Sequence, residues 1–236
     1  MKRLLTLIAI SALVAAACGG STADSSFEIS DEYAVLRLTG TAGSVSVQGE
    51  DQATTTIEAT SNYEDTEPEV IASVFGGDLI ITDTCEETSC FTDYTITVPE
   101  GTSVFVETTT GPVAIGGTTS EVTVVTTDGN ITINGMSGAL EVTSGSGSLL
   151  ALGLSGPFAF VTTTSGVIDL SFEESIEDVR AKSTSGSITV QAPGEPYAVS
   201  AVSGSGTVDV NIETADDAPG SVTAETESGD ITIYRR

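Results

Sequence analysis

Residues 122–133 have the sequence VTVVTTDGNITI, and this stretch decides the fold. The same frame recurs as VRAKSTSGSITV at 179–190 and as VTAETESGDITI at 222–233. When the glycine is numbered zero, apolar residues occupy positions −7, −5, +2 and +4, and Ser or Thr occupies position −3. Alternation of apolar and polar residues is typical of a β-strand with one buried face. Each copy therefore predicts two short strands joined at a glycine.

The frame repeats along most of the chain. Successive glycines at position zero are 18, 18, 19, 20, 20 and 23 residues apart. These corner glycines are Gly111, Gly129, Gly147, Gly166, Gly186, Gly206 and Gly229. Two weaker frames precede them at Gly43 and Gly77, which are 34 residues apart. An interval of 34 residues fits about two coils. In the first interval, Asn62 could take the turn of the intermediate coil, because Asn tolerates the left-handed conformation.

The inward-facing parity changes at each glycine, from odd positions before it to even positions after it. A glycine with positive φ absorbs the extra residue at low steric cost. One unit is too small to bury its own apolar face, whereas stacked units bury it against one another. We therefore predict an all-β fold, a single-stranded β-solenoid that resembles a right-handed β-helix, with coils of roughly 18–20 residues. Seven coils would rise roughly 34 Å at the usual strand spacing.

The Ser and Thr residues at position −3 share the parity of the buried positions. We expect them to point inward and to satisfy one another in a hydroxyl ladder, since an unpaired buried hydroxyl costs about 1–3 kcal/mol. The alternative is an exposed row of hydroxyls that faces a ligand or ice.

The N-terminus has the pattern of a secretion signal. Met1-Lys2-Arg3 precedes an apolar run over 4–17, which is shorter than the roughly 20 residues of a spanning helix. The run ends in Ala15-Ala16-Ala17-Cys18, which resembles a bacterial lipobox and implies diacylglycerol on Cys18. An ordinary secretory peptide is the alternative. The predicted organisation is a signal peptide at 1–17, a lipidated Cys with a flexible tether at 18–27, and a solenoid domain at 28–236 that is less regular over 28–100 and regular over 101–236.

Two further cysteines, Cys85 and Cys90, lie five residues apart. An extracytoplasmic compartment permits disulfides, so we predict that the two cysteines pair and fix one local loop. Such a small ring removes little chain entropy. Free thiols or a redox pair are the alternatives, although the spacing is not Cys-x-x-Cys.

The composition excludes several classes of function. The chain of 236 residues has 34 Asp and Glu, seven Lys and Arg, no His and a formal net charge of −27. A His-based triad and a His-ligated zinc site are therefore impossible. With so few cations, we expect no nucleic-acid partner. We expect no catalytic residue, cofactor or metal ion. Arg180 and Lys182 face outward at positions −6 and −4, either as a grip for a polyanion or as solvated surface charges.

Residues 94–111, with the sequence YTITVPEGTSVFVETTTG, precede the Ser-Gly-x-Ile-x-Val repeats. This combination resembles a bacterial family of β-strand-repeat envelope proteins of unknown function that is related to adhesin-head-like domains. The resemblance covers roughly residues 43–233. It implies a right-handed β-solenoid-like rod in the cell envelope. The family has no established catalytic or binding residues, so the resemblance assigns none to this chain.

These observations predict a non-enzymatic protein held at the membrane of the cell envelope by its N-terminal lipid. As an adhesin-like or scaffold module, it would present one face of the solenoid to an envelope protein or a glycan. An envelope sensor or regulatory partner of a membrane signalling system is the alternative, and a glycan-active enzyme is a third reading. Arg235 and Arg236 follow the last predicted strand, where they either protect an open sheet edge or form a frayed tail.

The parity of the frame is testable at two adjacent positions. Ile188→Asp places a charge inside the stack and should unfold or aggregate the protein, because a buried unpaired charge is strongly destabilising. Thr189→Asp, one residue along and facing outward, should be tolerated. Thermal unfolding of both variants checks this prediction, and equal tolerance of the two substitutions would contradict the assigned parity.

Overall fold

The computed structural model describes residues 20–85, 89–194 and 196–236, which form 21 β-strands and no helix. The strands are β1 (Ser21–Ile29), β2 (Val35–Thr39), β3 (Val45–Glu50), β4 (Thr55–Tyr63), β5 (Val70–Phe75), β6 (Asp78–Asp83), β7 (Phe91–Pro99), β8 (Ser103–Thr110), β9 (Val113–Gly116), β10 (Val122–Asp128), β11 (Ile131–Asn134), β12 (Leu140–Ser146), β13 (Leu149–Leu154), β14 (Phe158–Ser165), β15 (Ile168–Phe172), β16 (Asp178–Ser185), β17 (Ile188–Ala192), β18 (Ala198–Ser203), β19 (Val208–Asn211), β20 (Ser221–Ser228) and β21 (Ile231–Arg235).

The strands build two sheets that enclose one core. The order in the eleven-stranded sheet is β1-β4-β7-β3-β9-β11-β13-β15-β17-β21-β19, and the order in the ten-stranded sheet is β18-β20-β16-β14-β12-β10-β8-β2-β6-β5. In the regular part, each coil places one strand in the ten-stranded sheet, turns at its glycine and places the next strand in the eleven-stranded sheet. Neighbouring coils pair parallel and in register, as Val122 with Leu140 and Ile131 with Leu149. The predicted β-solenoid is confirmed.

The core consists of the apolar columns that the frame defines. In six of the seven frames, the residues at −7, −5, +2 and +4 are no more than 4% exposed. The inward parity is therefore confirmed for these coils. On the side of the core opposite the glycine corners, four successive coils each bury one further residue that the frame did not predict. These residues are Thr118, Met136, Leu154 and Phe172. Because these four side chains are also buried, the space between the two sheets is filled both at the glycine corners and on the opposite side of the coils.

The glycine corners form a ladder of their own. All seven predicted corner glycines and Gly43 have positive φ. The backbones also approach closely, because a Cβ on Gly166 would overlap the carbonyl oxygen of Gly147, and a Cβ on Gly186 would overlap that of Gly166. The same contact relates every neighbouring pair in the series Gly43, Gly111, Gly129, Gly147, Gly166, Gly186, Gly229 and Gly206. Glycine is thus required at the corner both for its backbone conformation and for the space it leaves.

The spatial order of the last two coils differs from their order in the sequence. Strand β20 pairs with β16 on one side and β18 on the other, and β21 lies between β17 and β19. The coil of Gly206 is therefore the end of the stack, and its Val208 is 44% exposed. Arg235 ends β21, a strand with a neighbour on each side, so of the two alternatives for Arg235 and Arg236 the structure does not support protection of an open sheet edge.

The N-terminal part contains one regular coil and two antiparallel additions. Strands β2 and β3 pack directly on β8 and β9, so Gly43 is a true corner. The prediction of a coil at Gly77 is wrong, because Gly77 lies in the turn of the antiparallel hairpin β5–β6. Leu79 and Ile81 consequently pair with Leu36 and Leu38 in the ten-stranded sheet. Asn62 takes no turn either, since it lies within β4 between β1 and β7.

The first described residues are also part of a sheet. Ser21–Ile29 forms β1, which pairs antiparallel with β4 along its whole length. The predicted flexible tether over 18–27 is therefore wrong from Ser21 onward. Cys18 and the predicted signal peptide lie outside the described residues.

The hydroxyl column at position −3 is buried, as expected, but it does not form the predicted ladder. Six of its seven members are no more than 6% exposed. Four of these six hydroxyls donate instead to backbone carbonyls at the corners, as Ser144 to Ser146 at 3.0 Å and Thr226 to Gly186 at 3.1 Å. Thr163 and Ser183 make no hydrogen bond through the hydroxyl among the described residues. The column therefore supports the corner carbonyls of the backbone and contributes little through hydroxyl pairs.

Cys85 and Cys90 are joined by a disulfide in the connection between β6 and β7, with Cα atoms 5.3 Å apart. Both half-cystines are buried. The bridge lies beside β7, where Cys85 Sγ is 3.5 Å from Thr92 Oγ1. It therefore fixes the connection that leads into β7, a strand of the antiparallel part of the eleven-stranded sheet.

The glycine ladder predicts a sharp difference between glycines. Gly166→Ala should lower the free energy of unfolding by about 3 kcal/mol or more, because it adds backbone strain and a clash with a carbonyl that cannot move alone. Gly101→Ala is the matched control, since a Cβ there meets no atom within 4 Å. That control should stay within about 0.5 kcal/mol of the wild type. Urea unfolding measures both changes, and similar stability of the two variants would contradict the close approach.

Candidate functional site

The structure does not gather the predicted site residues into a pocket. The corner glycines are backbone elements of the stack, and the disulfide is buried beside β7. Residues 20–85, 89–194 and 196–236 contain no group of three or more Asp, Glu or Cys side chains arranged to hold a metal ion. Within the same residues, no helix of the length and apolar character needed to cross a membrane occurs. The exposed side chains that could form a binding surface lie on the outer faces of the two sheets.

The outer face of the ten-stranded sheet holds three of the five cationic side chains in the described residues. Arg37, Arg180 and Lys182 all lie on it, on β2 and β16, and are exposed. In a chain with seven cations and 34 acids, three cations on one face are a local concentration. Two of the three are arginines stacked on phenylalanine rings.

The first of these clusters is centred on Arg37. Its Nε donates to Asp78 Oδ2 at 2.6 Å, which fixes the guanidinium above the neighbouring strand. The guanidinium lies 5.2 Å from the centre of the Phe105 ring. A cation over an aromatic face is attracted by the ring quadrupole. Asp78, Arg37 and Phe105 thus hold one another in place.

The second cluster repeats this arrangement on β14 and β16. Arg180 Nη2 lies 2.6 Å from Asp178 Oδ2, and the guanidinium is 5.3 Å from the centre of the Phe160 ring. Ser221 Oγ donates to Asp178 Oδ1 at 2.9 Å, which orients the carboxylate. The Phe158 ring lies 6.4 Å from Phe160 and supports it from the side.

The two clusters lie on one line across the sheet. The strand register places one residue from each of six neighbouring strands side by side at position −6. We call this line the aromatic row: Arg37, Phe105, Thr123, Glu141, Phe160 and Arg180. The two arginines are at the ends of the row, and each phenylalanine lies next to one of them, toward the middle of the row. Three strand steps separate the rings, or about 14 Å.

The surface is concave at one end of the row. A depression of about 420 Å³ lies over Phe160 and Arg180 and extends to Glu141, Lys182 and Glu225. Lys182 Nζ is 3.6 Å from Glu225 Oε2, so this pair forms the side wall. Phe160 is 39% exposed there. An exposed ring beside fixed polar groups is suited to binding a ligand.

The perturbed pKa values do not concentrate at this row. Burial raises the pKa of Tyr94 far above its usual range, and its hydroxyl donates to Asp83 Oδ2 at 2.8 Å. The backbone N–H and the hydroxyl of Thr207 lower the pKa of Asp230, which accepts both bonds at a coil corner. Burial raises the pKa of Asp169 on the opposite sheet. These groups hold neighbouring coils together or lie away from the row.

Only part of this surface was predicted from the sequence. Arg180 was predicted to face outward, and the structure places it there. Phe105 and Phe160 were missed, although both occupy position −6 of their frames. The signal that would have found them is the column of −6 residues read across successive coils.

A family model described as Toastrack DUF4097 matches residues 39–234. The chain belongs to the Toastrack DUF4097 family. The match covers both sheets except β1 and most of β2, so the whole aromatic row apart from Arg37 lies within the Toastrack domain. No curated protein matches the chain.

Two solved structures resemble this Toastrack chain. A candidate adhesin from Bacteroides fragilis is 16% identical, with a TM-score of 0.54, and the alignment covers 90% of this chain and 97% of that one. A candidate cell adhesion protein from Clostridium sporogenes is 13% identical, with a TM-score of 0.37, over 90% of this chain and 100% of that one. At this identity, the Bacteroides structure supports the fold alone.

The contact between Arg180 and Phe160 is testable by a double-mutant cycle in urea unfolding. Phe160→Ala and Arg180→Ala should show a coupling of about 0.5–1 kcal/mol, because the ring and the cation attract each other on a rigid sheet. The matched cycle of Lys182 and Glu225 should give less, since an exposed ion pair at 3.6 Å is largely screened. A coupling of zero for Phe160 and Arg180 would show that the cluster does not hold together.

Proposed function

We propose that the chain is a non-enzymatic, lipid-anchored protein of the bacterial cell envelope that acts as an adhesin-like module. The outer face of the ten-stranded sheet is its binding surface, and the ligand is a protein or a glycan. The observation that carries this proposal is the aromatic row, in which two exposed or half-exposed rings and two fixed arginines share one line on a rigid sheet.

The fold suits presentation of a surface. Every strand of the row is held on both sides by parallel neighbours, so the side chains keep their spacing without a ligand. A preformed site loses less conformational entropy on binding than a mobile loop does. Binding sites of this kind are made from side chains across several coils, as in other repeat proteins.

An extracytoplasmic location is supported by the disulfide between Cys85 and Cys90, since such bonds persist mainly in oxidising compartments. The Bacteroides fragilis structure with the same fold is described as a candidate adhesin, which agrees with a role at the cell surface. The apolar run before Cys18 supports export and lipid attachment. A single lipid chain binds membranes only weakly, so the several acyl chains of a lipoprotein anchor are needed for stable attachment.

The electrostatic character of the protein agrees with this role. The net charge of −27 keeps the chains apart and soluble, and an anionic membrane repels the body of the protein. Attachment at the N-terminus then leaves the solenoid projecting away from the lipid. The outer face of the ten-stranded sheet would remain accessible from outside.

The anchor and the binding face are tested together in cells that express the full chain. Wild-type cells should attach to surfaces coated with a panel of matrix proteins and polysaccharides. Cys18→Ser should lose fatty-acid labelling, leave the membrane fraction and abolish attachment. The double variant Phe160→Ala, Arg180→Ala should stay in the membrane fraction yet attach poorly. Leu150→Ala, an exposed apolar residue on β13 of the eleven-stranded sheet, is the control and should attach like the wild type.

Two outcomes would contradict the proposal. Membrane retention and labelling of the Cys18→Ser variant would exclude the anchor. Attachment no better than that of cells lacking the protein, on every coated surface, would exclude the adhesin-like role.

A further inference from the structure

We infer that the aromatic row binds an uncharged linear glycan that lies across the strands, parallel to the axis of the stack. This inference rests on the proposed function and names the ligand class of its binding face. It is carried by three features of the row: the spacing of its rings, the donors and acceptors between and beyond them, and its internal charge balance.

The rings supply the apolar part of the site. Phe105 and Phe160 project from the same face at the same position of their coils, about 14 Å apart. A pyranose ring has a face lined by C–H groups, and this face packs well on an aromatic ring. Two rings at this separation on a straight line match an extended oligosaccharide that contacts the protein at two of its sugar units.

The polar groups lie where the hydroxyls of such a ligand would be. Thr123 and Glu141 fill the two strand positions between the rings, with a hydroxyl and an exposed carboxylate. Arg37 and Arg180 lie beyond the rings, and a guanidinium has more N–H donors than one aspartate accepts. The row therefore offers acceptors in its centre and donors at its ends, as binding of a polyol requires.

The charges of the row favour an uncharged ligand. Each arginine already has an aspartate at 2.6 Å, so neither is available as a free counter-ion for a polyanion. Glu107, Glu141 and Glu225 share the face, and the chain as a whole has a net charge of −27. A polyanion would be repelled by the body of the protein, and a polycation would meet an arginine at each end of the row.

The rest of the face argues against a protein as the occupant. The core of a protein–protein interface is usually a contiguous apolar patch that excludes water. On this face, Thr123, Glu141 and Thr162 interrupt the apolar surface between and around the two rings. Isolated rings separated by polar groups are suited to sugars, which alternate C–H faces with hydroxyls along their length.

The test is calorimetric titration of the full chain in a detergent that contains no sugar. The probes are uncharged hexasaccharides of the β-glucan, N-acetylated chitin and mannan types, with a hexagalacturonate and a hexalysine as charged comparisons. At least one uncharged probe should bind, and its affinity should change little between low and high salt. Phe160→Ala and Phe105→Ala should each weaken binding by about tenfold, and the double variant should show no binding.

Phe91→Ala is the matched control, because Phe91 is 38% exposed, close to the 39% of Phe160, and lies on the other sheet. It should bind like the wild type, and thermal unfolding should show all variants folded. If Phe105→Ala proves unstable, Phe160→Ala with its control decides the question alone.

Several results would overturn the inference: no binding of any uncharged probe, binding that Phe160→Ala leaves unchanged, or tighter and salt-sensitive binding of a charged probe. Cell attachment to protein-coated surfaces that still depends on Cys18 and Phe160 would then leave the adhesin-like role intact with a protein ligand. If neither binding of an uncharged glycan nor cell attachment that depends on Cys18 and Phe160 is found, the adhesin-like role is wrong as well.

Discussion

The contact on which the structure depends is the close approach of each corner glycine to the carbonyl oxygen of the glycine before it in the stack. A side chain at that point would separate the coils, and the parallel strands on both sides of the corner would lose their register. With glycine there, the apolar columns of adjacent coils meet and bury one another, which is the main source of stability in a stack without helices. The buried hydroxyls at position −3 then satisfy the corner carbonyls that the tight turn exposes.

The same regularity builds the candidate site. Since each coil adds one residue per column to the outer face, side chains as distant in sequence as Arg37 and Arg180 come to lie on one straight line. No loop and no pocket in the interior is needed. Substitutions at the outward positions leave the core unchanged, so the frame is free to vary its surface. The two clusters of Asp, Arg and Phe are an example of that freedom, and they give the face a fixed aromatic spacing within a strongly acidic protein.

The sequence predicted the parts of the fold that local pattern determines. Ile131 and Ile188 are buried because apolar alternation fixes which face a strand turns inward. The error at Gly77 has a physical cause, since Val70, Ala72, Leu79 and Ile81 alternate equally well in a hairpin and in a coil. The position of the last coil was not predictable either, because the frames of Gly206 and Gly229 fit equally well beside Gly186. Phe105 and Phe160 were overlooked because a row across coils is visible only when the coils are aligned with one another.

In the stack, the coil of Gly229 lies between the coils of Gly186 and Gly206. Engineered disulfides on the outer face of the eleven-stranded sheet test this order most directly. Thr189 and Thr232 are direct neighbours on β17 and β21, and Thr232 is in turn the neighbour of Asp209 on β19. Adjacent strands bring Cα atoms within the roughly 4.4–6.8 Å that a disulfide spans, whereas two strand steps, about 10 Å, do not. Mass spectrometry of the oxidised and digested protein should therefore detect a bond in Thr189→Cys, Thr232→Cys and none in Thr189→Cys, Asp209→Cys. The reverse result would mean that the coils stack in sequence order and that the ladder described above is wrong.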